Sequence, residues 1–198
     1  MKPWELLPAL TSDRLIRVAD ILRRSRDSAA RHAKRKLGDS LCSIGLVAFD
    51  RSRYALTLAA ADVYKDWLSV KEEDNHFVIK IKGVPARFYR GDPDLPVPAR
   101  TLKIGPEEKL ETQLAFQAAG MVGQLQCLRF EVEKKAKGFT RSVSFVQVDS
   151  NGLRLHSWVI PQFIARPTSD DVRKGAVRLP PISLDEPKPD QHTGEVRA

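Results

Sequence analysis

Residues 11–38 read TSDRLIRVADILRRSRDSAARHAKRKLG, and an acid precedes a base by four positions three times over: Asp13 with Arg17, Asp20 with Arg24, Asp27 with Arg31. That offset, with the acid leading, brings opposite charges together on one helix face. Leu15, Val18, Ala19, Leu22, Ala29, Ala33 and Leu37 fall on the opposite side at helical spacing. The stretch predicts a long amphipathic helix. It is capped at Thr11-Ser12 with Asp13 in its first turn, runs to about Leu37, and stops at Gly38.

Working outward, Asp39 or Ser40 can cap a second helix, in which Leu41, Ile44, Ala48, Ala55, Ala59, Val63 and Trp67 recur near every third or fourth residue. It is expected to reach about Leu68, with a kink near Asp50-Arg51-Ser52. The short join makes the two helices an antiparallel hairpin, and Ala59, Ala60 and Ala61 permit close approach.

After the polar break Glu72-Glu73-Asp74-Asn75 the period changes to two. Phe77, Ile79 and Ile81 alternate with Val78, Lys80 and Lys82, a half-buried strand. Gly83 turns the chain into a return strand, Val84–Arg90, where Pro85 suggests an edge position. A loop from Gly91 to Gly105 leads to Pro106, suited to the first turn of a third helix with the stripe Leu110, Leu114, Ala118, Met121, Val122 and Leu125. Three strands follow, Leu128–Lys134, Phe139–Val148 and Leu153–Ile160, the last two joined by the Asn-Gly hairpin signal in Asp149–Gly152.

The order ααββαβββ predicts an α+β fold: an N-terminal antiparallel helical hairpin and a mostly antiparallel five-stranded sheet with one further helix, the helices on one face. A single domain is expected over residues 1–165. Residues 166–198, with Pro180, Pro181, Pro187 and Pro189, read as an extended tail, disordered or partner-bound.

The 198 residues include 42% apolar types and three Trp, enough for one well-formed core. The formal charge of +8 and a pI near 9.7 favour anionic partners. Residues 166–198 carry six bases and six acids, so the whole excess sits in residues 1–165. Cys42 and Cys127 form neither a disulfide framework nor a metal knuckle, and free thiols suit a reducing compartment. The start MKPWELLP is too short in apolar run for a signal peptide, and no stretch approaches the roughly 20 apolar residues of a spanning helix. A soluble, cytoplasmic protein without membrane contact is the expectation.

Two basic segments are candidate contact surfaces. On the first helix Arg23, Arg26, Lys34, Arg35 and Lys36 have no acid four residues before them, so uncompensated charge gathers toward its C-terminal half. The turn Lys134-Lys135-Ala136-Lys137-Gly138-Phe139-Thr140-Arg141 combines four cations with an aromatic that can stack on a base. The expected nucleic-acid-binding residues are Arg23, Arg24, Arg31, Arg35, Lys36, Lys134, Lys135, Lys137, Phe139 and Arg141.

The first functional reading is therefore a non-catalytic, sequence-nonspecific nucleic-acid-associated protein, without cofactor or metal; homo-oligomerisation through the seven-residue repeat of the first helix is compatible with it. The alternative is a protein-interaction subunit of a larger intracellular complex, using the tail segment Val177–Ile182. The remote alternative is enzymatic. Pro93-Asp94 followed by Glu133-Lys134-Lys135 resembles a skeletal PD-(D/E)xK nuclease motif, which implies Asp94 and Glu133 on Mg²⁺ and Lys135 orienting water. Arg87 or Arg90 upstream of Glu131-Val132-Glu133 is faintly similar to ADP-ribosyltransferases, without the Ser-Thr-Ser strand of that family.

Overall fold

A computed structural model describes residues 2–73, 76–93, 95–121 and 126–162. They belong to a folded unit spanning Met1–Phe163; the expected tail, 166–198, lies outside the described residues. A short helix α1 (Pro3–Leu6) precedes α2 (Ser12–His32), and the Thr11 hydroxyl caps α2 by accepting the Arg14 N–H. The expected last turn of α2 is detached. Asp39 Oδ2 captures the Lys34 N–H at 2.6 Å, a donor the helix would have needed, and residues 35–37 form a separate 3₁₀ turn closed by Gly38 at φ 95°.

Helix α3 (Leu41–Ala61) is capped by the Ser40 hydroxyl, which accepts from the Cys42 and Ser43 N–H groups. It runs back along α2: Ile44 and Ala48 pack on Ala29, and Arg51 donates to the Ser28 hydroxyl at 2.8 Å. Through the kink expected at 50–52, α3 runs on as one helix, and the buried Ser52 hydroxyl donates to the Ala48 carbonyl at 2.7 Å. The expected extension to Leu68 is also corrected. Residues 62–67 are turns, and Leu68 opens a strand, β1 (Leu68–Glu73), that the helical reading concealed.

The sheet has six strands rather than five, in the order β1 to β6: β2 (His76–Ile81), β3 (Val84–Gly91), β4 (Gln126–Lys134), β5 (Thr140–Asp149) and β6 (Arg154–Val159). Every neighbouring pair is antiparallel except β3 and β4, which are parallel and joined through α4 (Ala99–Leu102) and α5 (Pro106–Ala118). One sheet face, with Ile79, Ile81, Ala86, Leu128, Phe130 and Phe145, buries Leu15, Val18 and Leu22 of α2 and Leu56 of α3.

The helices do not all lie on that face. Lys80, Arg87 and Arg129 alternate with the core residues and so point to the other side, where α5 meets them through Glu107, Glu108 and Glu111. The stripe expected to bury α5 is reversed along the helix itself, although Met121 just beyond it packs against the core. Leu110 and Leu114 are more than half exposed, while Glu108, Thr112 and Phe116 turn inward. Glu108 is drawn in because it is the carboxylate shared by two buried arginines; Val122 and Leu125 lie outside the described residues.

Strand β3 changes partner midway. It pairs with β2 from Val84 to Ala86 and with β4 from Arg87 to Gly91. Pro85 lies in the half where only β2 is a neighbour, so its missing N–H is tolerated although β3 is not an edge strand. Beyond Ala86, Phe88 meets Phe77 edge-on at 5.9 Å and Phe49 at 5.1 Å, and these rings stand where the β2–β3 ladder would continue.

Candidate functional site

The parting of β2 and β3 opens a cleft of about 520 Å³. Arg87, Phe88, Tyr89 and Arg90, four consecutive residues, all line it. Side chains of a strand alternate between faces, so four in a row meet one cavity only where it runs along the open edge of the strand. Leu22 and Arg26 of α2 and Gly45, Phe49 and Ser52 of α3 form one wall; Arg100, Thr101, Arg129 and Val132 complete it.

Five arginines thus line the cleft, and no Asp, Glu or His does so among the described residues. Two are braced from behind. Glu108, 5% exposed, bonds Arg129 Nη1 at 2.9 Å and pairs with Arg87; the Thr101 and Lys103 carbonyls accept from Arg129 Nε (2.9 Å) and Arg87 Nη1 (3.1 Å). Arg87 and Arg129 are register partners, so one carboxylate holds two guanidinium groups side by side across the parallel ladder. Arg129 retains an unbonded, buried Nη2.

Arg26, Arg90 and Arg100 have no ion pair or side-chain hydrogen bond among the described residues. Arg26 is the most telling. It is only 5% exposed, and its buried Nε bonds nothing. Burial and then the charge of Arg90 push its guanidinium below the usual arginine range, outweighing the favourable field of Asp27. A charge removed from water without a partner costs several kcal/mol or more. Arg90 reaches over α3, its Nη1 3.3 Å from where a side chain at Gly45 would begin. Phe49 and Phe88 supply an aromatic surface, and Arg53 stacks over Phe49 at 5.7 Å and over Phe77 at 5.8 Å.

The residues expected from sequence to bind nucleic acid lie elsewhere. Arg23 is buried, its Nη2 and Nη1 donating to the Ile160 and Pro161 carbonyls at 2.5 and 3.2 Å; it ties α2 to the end of β6. Arg24 is exposed and paired with Asp20 at 2.8 Å, as Arg17 is with Asp13 at 2.9 Å. The third expected pair does not form among the described residues: Asp27 Oδ1 accepts the Thr140 N–H at 2.8 Å instead of meeting Arg31. That bond draws the 134–141 turn onto the helix hairpin, with Gly138 against Ile44. Exposed Arg31, Arg35, Lys36, Lys134, Lys135 and Lys137 therefore belong to neighbouring segments, with Phe139 half-buried and Arg141 paired to Glu133 at 3.1 Å.

The nuclease-like grouping is not assembled by what is described. A bulge between Glu133 and Lys134 breaks the alternation expected to align Glu133 with Lys135. The Glu133 oxygens are held by Arg141 and Ser142, and Asp94 lies outside the described residues. The sequence signals for the observed cleft were Arg129 within the apolar run Leu128-Arg129-Phe130, and the Arg87-Phe88-Tyr89-Arg90 quartet.

No protein-family model, curated protein or solved structure matches the chain. The site therefore stands on its own chemistry.

The two thiols give a direct probe of the cleft. Cys42 is exposed at its mouth; Cys127 is 3% exposed, and burial pushes its thiol above the ordinary range. Iodoacetamide near pH 8 should alkylate Cys42 alone in the native protein, and an occupant of the cleft should slow that reaction. Peptide mass spectrometry reads both; equal labelling of Cys127 would contradict the packing of β4.

Proposed function

We propose that the protein binds single-stranded nucleic acid, non-catalytically and without sequence preference, and that the strand enters the arginine cleft. The carrying observation is that five arginines, one of them buried with its Nε unbonded, line a cavity with no acid among the described residues of its lining. Guanidinium forks bind phosphate oxygens bidentately. Phe49 and Phe88 line the cleft, and base–aromatic stacking tolerates any base. Among the described residues the lining includes no Asn or Gln to read base edges. Its volume falls within the roughly 300–1,000 Å³ of small-molecule pockets, which suits a nucleotide unit and excludes a duplex.

Anisotropy titrations of labelled single strands and duplexes test this. Single strands should bind more tightly. Their affinity should fall about tenfold to a hundredfold between roughly 50 and 200 mM salt, as three or so phosphate contacts dictate. Equal binding of duplex would refute entry into the cleft, and no binding at low salt would remove the reading altogether.

The interaction-subunit reading has its own support in two apolar stripes open to solvent. Leu46, Tyr54 and Leu58 lie along α3, 64%, 69% and 51% exposed, and Leu110 and Leu114 lie on α5. No helix among the described residues is long and apolar enough to cross a membrane. A pull-down with and without nuclease treatment, comparing a chain lacking residues 166–198 with one altered in the cleft, separates the two readings.

A further inference from the structure

Three guanidinium groups without partners are more positive charge than one internal phosphate can satisfy. A phosphodiester carries a single negative charge and shares only two free oxygens, whereas a phosphomonoester carries about −1.5 to −2 at neutral pH and presents three acceptor oxygens. The depth of the cleft points the same way. Arg26 sits one helical turn from Leu22, which is 1% exposed, and shares the lining with Val132, also buried; Arg90 and Arg100 are exposed. A group reaching Arg26 meets core residues behind it. Buried Leu22 and Val132 close the lining beside Arg26, which suits a terminal group better than a continuing strand.

Resting on the proposed binding of nucleic acid, we infer that the inner end of the cleft receives the phosphorylated terminus of a single strand, with Arg26, Arg90 and Arg100 around its phosphomonoester and the terminal base against Phe49 and Phe88. The occupied state gives the buried Arg26 a counter-charge at hydrogen-bonding range. It also places the interior guanidinium groups of Arg87 and Arg129, held rigid by Glu108, where they raise the local potential without moving.

The test uses the full chain and fluorescently labelled DNA and RNA strands of about six nucleotides, within the range a single binding groove covers. Each carries a 5′-phosphate, a 3′-phosphate or hydroxyls at both ends, and a nucleoside monophosphate is titrated as a separate probe. A phosphorylated end should bind about tenfold more tightly than hydroxyl ends, the effect of one added charge-assisted anchor. Arg26→Gln should reduce that ratio to near one, and so should Arg90→Gln, whose exposed site leaves the fold intact; circular dichroism confirms that both variants are folded. Equal affinity for phosphorylated and hydroxyl ends overturns the inference while leaving nucleic-acid binding in place. An undiminished ratio in both folded variants also overturns it, since the end is then read elsewhere. Binding of the monophosphate with none of any strand overturns the strand end and the nucleic-acid reading together, as does the absence of binding by every probe at low salt.

Discussion

Glu108→Ala should unfold the protein far more readily than any surface substitution, by about 3–5 kcal/mol, the usual penalty for removing one partner of a buried ion pair. Glu108 stands between Arg87 and Arg129, whose side chains are 12% and 1% exposed, and its carboxylate pairs with both. Without it, two like charges remain beside each other in a low-dielectric site, and the midpoint of thermal unfolding should drop on the order of 10 °C. Adding Arg129→Met should restore a substantial part of the loss, because an apolar side chain of similar volume needs no counter-charge there. Thermal and urea unfolding followed by circular dichroism measure both variants. A loss under about 1 kcal/mol for Glu108→Ala would mean that this ion cluster does not fix the inward face of α5.

Arg26→Met should act in the opposite sense. The free protein gains about 1–2 kcal/mol, since a desolvated guanidinium with no hydrogen-bond partner on Nε is exchanged for an apolar chain beside Leu22. Ligand affinity should fall by about tenfold or more, with the loss of a charge-assisted contact. Stability rising as binding falls is the signature of a residue held for function against the preference of the fold. If Arg26→Met destabilised the protein and left binding unchanged, Arg26 would be a structural residue and the cleft would lose its innermost anchor. Single-strand anisotropy beside thermal unfolding settles the sign of each effect.

Much of the scaffold was readable because the forces that set it act over a few residues. The Thr11 cap, the two ion pairs at Asp13–Arg17 and Asp20–Arg24 and the 149–152 hairpin are all local. Errors arose where distant partners overruled local preference. Asp27 left Arg31 for the Thr140 N–H. Val63 and Trp67 continued the helical spacing of α3 to about Leu68, yet residues 62–67 are turns and Leu68 pairs with Ile81 across a strand. Leu110 and Leu114 formed a helical stripe, but the two arginines behind α5 turned Glu108 inward instead.

The candidate site was the least legible part for the same reason. Exposed cations clustered in sequence drew attention to Arg24, Arg31, Lys135 and Lys137, and nothing local distinguishes such residues from a solvated face. The arginines that meet come from α2, β3, α4 and β4, one or two from each. Only Arg129, charged within an apolar run, and the Arg-Phe-Tyr-Arg quartet carried a trace of the cleft in their surroundings.

The amino-acid sequence by itself determined a basic α+β chain with a helical pair leading into a sheet, since periodicity, caps and turn residues are properties of short segments. Only the tertiary structure decided where the positive charge is concentrated. Strand β3 gives up β2 for β4 after Ala86, and Arg26 lines the cleft beside it at 5% exposure. A charge becomes costly, and so informative, through the solvent it loses, and that loss is set by every element packed around it rather than by its neighbours in the chain.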